Sequence, residues 1–356
     1  MENGKKFRRI GVLTSGGDAP GMNAAYRAVV RAGLDKGIEV VALYGGYRGL
    51  VESDFKVISR RSEVSNIINL AGTCIYTDRC TGFATEPGMQ KALVTLKENN
   101  IEGIVAIGGD GTFRGATDLA SRGIPTIGIP GTIDNDITAT DYTIGFGSAV
   151  DITMKMIDSL RATGESHARC CVVEVMGRHA GHIALRTAVA CGAFAVAVPE
   201  FEFDEEKVIK DMIEARAAGK RGFVIIVSEG CVGYGEKLTK TIEEKTGITT
   251  RFICPAHIQR GGDPTADDRI IASEMGSRAI DELIRGNSDI VITLRKNQLG
   301  TMNIKDALNV DRMFKGKMTP EEKAALTPDQ NAWMQARCDE VLSDMKRLYD
   351  LVYEIR

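Results

Sequence analysis

The chain has 356 residues, 45 basic and 48 acidic, for a net charge of −3, a length that suggests ~2 domains or one large α/β body. So balanced a charge excludes an electrostatic grip on nucleic acid or an anionic membrane as its main business. A hydrophobic content of 43% excludes wholesale disorder, and no apolar run nears the ~18 to 20 residues of a membrane span.

The opening stretch, MENGKKFRRIGVLTSGG, is charged and has no apolar run long enough for a signal peptide. Residues 9–14 read as a buried strand that runs into a glycine-rich loop. A helix follows over about 22–36, then a second strand over 39–44. Further strands are predicted at 103–107, 126–129, 170–175, 195–198, 223–227, 251–254 and 290–294, separated by segments of helical length. One of these, 146–161, carries Phe146, Val150, Met154, Ile157 and Leu160 on one helical face. Short apolar runs that do not alternate, joined by helices, indicate parallel strands covered on both sides. The chain is therefore predicted to be α/β.

The eight cysteines form no CxxC pair, and Cys170 and Cys171 lie inside a strand-like run. They read as reduced thiols in a cytoplasmic protein, not as disulfides or zinc ligands. Beyond residue 316 the pattern changes. Met334, Cys338, Val341, Met345, Leu348, Val352 and Ile355 form a heptad-like stripe on a charged helix. That stripe suits a terminal helix packed on its own body, or one that bridges subunits.

In an open parallel sheet, ligands gather outside the carboxyl ends of the strands. Three loops at such ends are rich in glycine and aspartate. The first, TSGGDAPGMN over 14–23, has adjacent glycines that let backbone N–H groups approach a phosphate near a helix N-terminus. It matches neither the Walker A loop nor GxGxxG, and a tight strand-to-helix turn needs glycine anyway. The second, IGGDGT over 107–112, places Asp110 where it could serve a nucleotide-borne Mg²⁺ or cap the helix. The third, PGTIDND over 130–136, sets Asp134 and Asp136 two residues apart beside Thr132. That trio fits phosphoryl transfer, with one carboxylate as base, or an Asx turn. Three such loops at successive strand ends favour a joint site.

With these loops, YTIGF (142–146), VEVMGR (173–178) and HIQRGG (257–262) make the chain resemble the 6-phosphofructokinases from about Arg9 to Gly316. The GGDGT loop alone is shared with NAD and lipid kinases; PGTIDND followed by EVMGR and HIQRGG is far more specific. The resemblance implies two interleaved Rossmann-like three-layer domains with mainly parallel sheets, plus a C-terminal helical extension. The nucleotide domain would comprise 1–145 with part of 255–310. The sugar-phosphate domain would comprise 146–254 with the remaining C-terminal segments, and 317–356 would be the helical tail.

The resemblance further implies phosphoryl transfer from ATP to the 1-hydroxyl of fructose 6-phosphate in glycolysis, with Mg²⁺. Asp134 falls at the general-base position, and Arg79, Thr132 and Arg178 at the other catalytic positions. Gly17, Arg79, Cys80, Gly109, Asp110, Gly111 and Thr112 match nucleotide-binding positions, Asp110 being the Mg²⁺ ligand. Thr132, Ile133, Asp134, Met176, Gly177, Arg178, Glu229, Ile258 and Gln259 match the sugar side. Arg169, Arg251, His257 and Arg260 match the cradle of the 6-phosphate, where guanidinium forks suit phosphate oxygens. In the family Arg169 and Arg251 reach in from a neighbouring subunit, which implies a homo-oligomer, a tetramer. Gly111 and Gly131 stand where pyrophosphate-using members carry Asp and Lys, so the implied donor is ATP.

Some positions depart from the bacterial pattern. Arg27, Arg31, Arg61, Arg161 and Lys220 keep the basic character of the family's effector pocket. Phe194, however, replaces a carboxylate that holds the effector's metal, Ala218 a basic residue, Asn66 an Asp and Gly222 a His. Each lost charged hydrogen bond weakens binding by on the order of 1–3 kcal/mol, so a weak or altered response to ADP is expected. Ala84 and Arg114 also differ from the pattern. The competing readings are a pyrophosphate-dependent phosphofructokinase, and a non-catalytic nucleotide-sensing subunit. An NAD-dependent oxidoreductase finds no support in the first loop.

Overall fold

A computed structural model describes residues 7–356. Residues 1–6, part of the charged opening stretch and of the nucleotide domain read from the sequence, lie outside the described residues. In chain order the strands are β1 (Arg9–Ser15), β2 (Glu39–Leu43), β3 (Phe55–Ile58), β4 (Ile104–Gly108), β5 (Thr126–Pro130), β6 (Cys170–Val175), β7 (Ala195–Ala197), β8 (Phe223–Ser228), β9 (Thr250–Ile253), β10 (Ile290–Arg295) and β11 (Gln298–Asn303). Contacts divide the chain into two units. The first is Met1–Ile133, Ile137–Ser148 and Arg260–Arg337; the second is Asp134–Asp136, Ala149–Gln259 and Cys338–Arg356.

The first unit is built on a seven-stranded sheet of order β11-β10-β5-β4-β1-β2-β3, parallel except at its two edges. Strands β4 and β5 are buried along their whole length, as apolar runs covered on both faces must be. After β1 the chain winds one way through β2, and from β4 it winds the other way through β5. The order therefore reverses between β1 and β4, the place where doubly wound sheets bind ligands. The second unit holds a four-stranded, all-parallel sheet of order β7-β8-β6-β9, packed into a core with Val208, Met212, Leu238 and Ile242.

Every strand expected from the sequence is present. The two edge strands β3 and β11 were not expected, and both are antiparallel to their neighbours. The helix read over 146–161 runs on to His167.

The last helix, Pro328–Ile355, packs on its own chain. Met334, Met345 and Val352 of its stripe are buried. In the second unit its Tyr349 hydroxyl donates to the Glu202 carbonyl at 2.9 Å, and Tyr353 donates to that of Val196 at 3.3 Å. Arg356 pairs with Asp211 and lies 4.9 Å from the centroid of the Phe194 ring. Phe194 itself is buried edge-on against Phe223. At Gly222 an added Cβ would stand 2.7 Å from a carboxylate oxygen of Glu165, a steric reason for glycine there. None of the eight cysteines forms a disulfide; Cys170, Cys171, Cys191 and Cys338 are buried, and only Cys74 and Cys254 are exposed. No helix among the described residues is long and apolar enough to cross a membrane.

Candidate active site

The glycine-rich loop after β1 turns through Gly16 and Gly21, whose φ values of 88° and 103° are favourable only without a Cβ. Register carries its neighbours to it, since Ser15 pairs with Gly108 and Gly108 with Pro130. The three loops thus leave three adjacent parallel strands at one end of the sheet. Hydrogen bonds tie them together: Thr112 Oγ1 donates to the Ser15 carbonyl at 2.9 Å, and Gly131 N to the Gly108 carbonyl at 3.0 Å. A Cβ on Gly108 would lie 2.2 Å from Thr112 Oγ1, so this closeness requires glycine.

Arg79 and Cys80 lie far along the chain from this loop and are brought to it by hydroxyls. Thr14 Oγ1 donates to the Tyr76 carbonyl at 2.8 Å, and Thr77 Oγ1 to that of Gly16 at 2.7 Å. Behind them Tyr47 stacks on Phe83 with centroids 4.3 Å apart, and its hydroxyl donates to the Thr112 carbonyl at 2.6 Å. Arg260 joins the same end: its Nη1 donates to the Asp18 carbonyl at 3.1 Å, and it would lie 2.8 Å from a Cβ on Gly17. The turn carrying Phe83 meets the next helix at Gly88, where a Cβ would stand 2.0 Å from the Gly82 carbonyl oxygen. Gly88→Ala is therefore expected to destabilise the protein by about 1–3 kcal/mol, measured as a lower urea midpoint at unchanged m-value.

Asp110 opens the helix Asp110–Ala120. One carboxylate oxygen accepts from Gly111 N at 2.8 Å, and the other pairs with Arg114 Nη2 at 2.9 Å. No group of three or more His, Cys, Asp or Glu side chains able to hold a metal occurs among the described residues. One carboxylate at a strand end fits a metal carried in on phosphate oxygens, as Mg²⁺ commonly is, and not an all-protein cage. Arg114, which the sequence left without an account, is thus the ion-pair partner of the candidate ligand.

The third loop is supported by Thr143, whose Oγ1 donates to the Thr132 carbonyl at 2.6 Å, and by a bridge between Gly131 and Ile144. Behind that loop, buried Asp268 accepts from Tyr142 Oη at 3.0 Å, Gly145 N at 2.6 Å and Ser148 Oγ at 2.5 Å. Ile133 is fully buried.

In the second unit, Asp134 and Asp136 are 2% and 8% exposed. Arg178 faces both, with Nε 4.0 Å from Asp134 Oδ2 and Nη1 3.9 Å from Asp136 Oδ2. Arg178 takes a φ of 55°, which non-glycine residues rarely adopt. The turn is held by Glu229, whose Oε1 accepts from the N–H groups of Gly177 and Arg178 at 3.0 and 2.6 Å. Gln259 is fully buried: its carbonyl accepts from Met176 N at 2.9 Å and its amide donates to Thr153 Oγ1 at 2.7 Å. It holds the turn from beneath, while His257 and Ile258 beside it are exposed. Burial, with the nearby Glu229 and Glu236 carboxylates, pushes the Glu174 carboxyl above its ordinary range.

Arg169 and Arg251 do not join this cluster. Arg169 precedes β6 and Arg251 pairs with Cys171 near its start, whereas Met176–Arg178 follow the strand's other end. Six residues at ~3.3 Å each separate the two ends by roughly 20 Å. The residues that sequence reasoning missed are Asp268, Thr143 and the buried support role of Gln259. The YTIGF and HIQRGG matches contain Thr143 and Gln259 without giving these roles, and nothing local marks Asp268.

A family model described as phosphofructokinase matches residues 9–283. The chain is 49% identical over 318 residues to an ATP-dependent 6-phosphofructokinase of Clostridium tetani, covering 89% of this chain and 99% of that one. It is 48% identical over 308 residues to ATP-dependent 6-phosphofructokinase 1 of Clostridium perfringens, at 86% and 96% coverage. Among solved structures it is similar to the phosphofructokinase of Pichia pastoris in the T-state, with a TM-score of 0.84 and 30% identity. That match covers 98% of this chain and 39% of the longer one. A phosphofructokinase of Saccharomyces cerevisiae matches with a TM-score of 0.82 and 30% identity over 92% of this chain, which spans 48% of its length.

Proposed function

We infer, because this chain belongs to the phosphofructokinase family, that it transfers the terminal phosphoryl group of ATP to the 1-hydroxyl of fructose 6-phosphate. The observation that carries the reading is the trio of glycine- and aspartate-bearing loops at the ends of β1, β4 and β5, bonded to one another at the point where strand order reverses. Such a surface offers backbone N–H groups and close approach to a polyphosphate.

Asp134 is the general base. As the sugar oxygen bonds to the γ-phosphorus, the hydroxyl proton passes to the carboxylate, the bond from phosphorus to the β,γ-bridging oxygen breaks, and ADP leaves with that electron pair. A base so placed is worth ~10²- to 10⁴-fold. Gly17, Cys80 and Gly109 to Thr112 bind the nucleotide. Arg79 meets the charge that spreads over the transferring phosphoryl, and the Thr132 hydroxyl orients that group. Mg²⁺, when bound at Asp110 with the phosphates, neutralises their negative charge. Arg178 orients Asp134 and the sugar, and Met176, Gly177 and Ile258 line the sugar side, with Glu229 and Gln259 holding that turn in shape. His257 and Arg260 take the 6-phosphate.

Arg169 and Arg251 lie a strand's length from Arg178, which supports their service to a neighbouring copy in a homotetramer. The nucleotide domain is the first unit and the sugar domain the second, in an enzyme of cytoplasmic glycolysis.

The test is fructose 1,6-bisphosphate formation, followed through aldolase, with ATP and pyrophosphate as donors in parallel wells. Turnover with ATP and none with pyrophosphate is expected. Turnover with pyrophosphate alone would overturn the donor assignment, and silence with both would favour a nucleotide-sensing subunit.

A further inference from the structure

The segment Ile137–Tyr142, which directly follows Asp134-Asn135-Asp136, is pinned on three sides within the first unit. From the end of β10, Leu294 N donates to Thr140 Oγ1 at 2.9 Å, and its carbonyl accepts from Asp141 N at 2.8 Å. From the helix Ile304–Phe314, buried Asp311 accepts from Thr138 Oγ1 at 3.1 Å. The third side comes from the last helix. Arg337, 4% exposed, donates from Nε to the Thr138 carbonyl at 2.7 Å, and its Nη2 pairs with Asp141 Oδ1 at 2.7 Å.

A buried guanidinium is costly to keep unless its geometry is fully used, and here one planar fork serves a backbone carbonyl and a carboxylate together. Its targets lie four and seven residues after Asp134. On the near side of Asp134, Gly131 and Thr132 are fixed to β4 and Thr143, and Ile133 is fully buried. The three-residue run that includes both carboxylates is thus held at both ends, and the far end is held from a helix beyond residues 9–283, the span of the family match.

We propose that Arg337 is a positioning residue for Asp134, acting through Thr138 and Asp141, so that the C-terminal helix serves the chemistry although it touches no substrate. This rests on the reading of Asp134 as the base. Misplacing a reacting group by about 1 Å costs about 10²-fold, and losing one of several anchors should cost part of that.

The experiment compares Arg337→Ala, Arg337→Lys and Asp134→Asn with the parent at saturating substrates. Rates are normalised to the fraction of each sample that binds ATP in an equilibrium titration, which removes any contribution from unfolded protein. Arg337→Ala is expected to lower normalised kcat by about 10- to 100-fold with KM for ATP unchanged, and added methylguanidinium should restore part of the rate. Arg337→Lys keeps the charge but not the fork, and should fall between. A merely structural role predicts parental normalised kcat in whatever fraction folds, and that result overturns the proposal. If an Arg337 variant does not fold, Asp141→Ala, altered at the partly exposed partner, carries the test with the same expected direction; parental normalised kcat there overturns it equally. Parental turnover in Asp134→Asn would sink the base assignment itself. Loss in Asp134→Asn with parental kcat at 337 and 141 would sink the positioning role alone.

Discussion

Asp134→Asn is expected to lower kcat by ~10²- to 10⁴-fold while the affinity for ATP stays at the parental level. The amide matches the carboxylate in shape but cannot take the hydroxyl proton. The fold should survive, because Arg178 keeps its second carboxylate, Asp136, at 3.9 Å. Breaking a buried ion pair outright is what destabilises strongly, and here the cation is left paired. The turn that presents Arg178 is anchored independently by Glu229 on backbone N–H groups. Equilibrium ATP titration beside steady-state rates separates the two quantities. Turnover within a few-fold of the parent would refute the assignment.

The second large effect concerns the donor. Gly111 is exposed, and a Cβ built on it meets nothing within 4 Å, so Gly111→Asp fits without disturbing the loop. A carboxylate there would face the nucleotide phosphates. Two like charges ~4 Å apart repel by about 4 kcal/mol at an effective dielectric of about 20. Solvent screening reduces that at an exposed position, but a loss of about 1.4 kcal/mol is already tenfold. The expected result is at least a ~10-fold fall in kcat/KM for ATP, at parental thermal stability. An unchanged kcat/KM would show that Gly111 has no part in accommodating ATP. Gly131 offers no comparable test. There a Cβ would lie 3.1 Å from Ile107 Cγ2 and 3.2 Å from Met22 Cε, so its glycine is also demanded by packing.

What the sequence made legible follows from where its signals are strong. Buried parallel strands are unbroken apolar runs, so β4, β5, β6 and β8 stand out before any fold is known. Edge strands carry no such run. In β11, QLGTMN, only half the residues face protein and a glycine interrupts the pattern; β3 is four residues long with an exposed lysine. The glycine-rich loops were readable because close approach restricts the residue type. Their supports were not. Asp268 follows Thr265 as an ordinary helix-cap pair would, and Thr265 Oγ1 does accept its N–H at 3.3 Å. Its carboxylate nevertheless serves residues 120 positions or more away in the chain. Arg337 lies one residue from the apolar stripe in a helix full of charge, where an arginine looks like solvated surface. In each case the missing information is a long-range contact between polar groups, which has no period along the chain.

The distribution of thiols has a practical consequence for spectroscopy. With four cysteines buried, Cys80 and Cys231 half-buried, and Cys74 and Cys254 exposed, the two most accessible labelling handles fall one in each of the two units. Desolvation raises both thiols above their ordinary range, so maleimide or nitroxide attachment speeds up toward alkaline pH as the thiolate fraction grows. A donor–acceptor dye pair or two spin labels at these sites would need no cysteine to be introduced, only the half-buried Cys80 and Cys231 to be replaced.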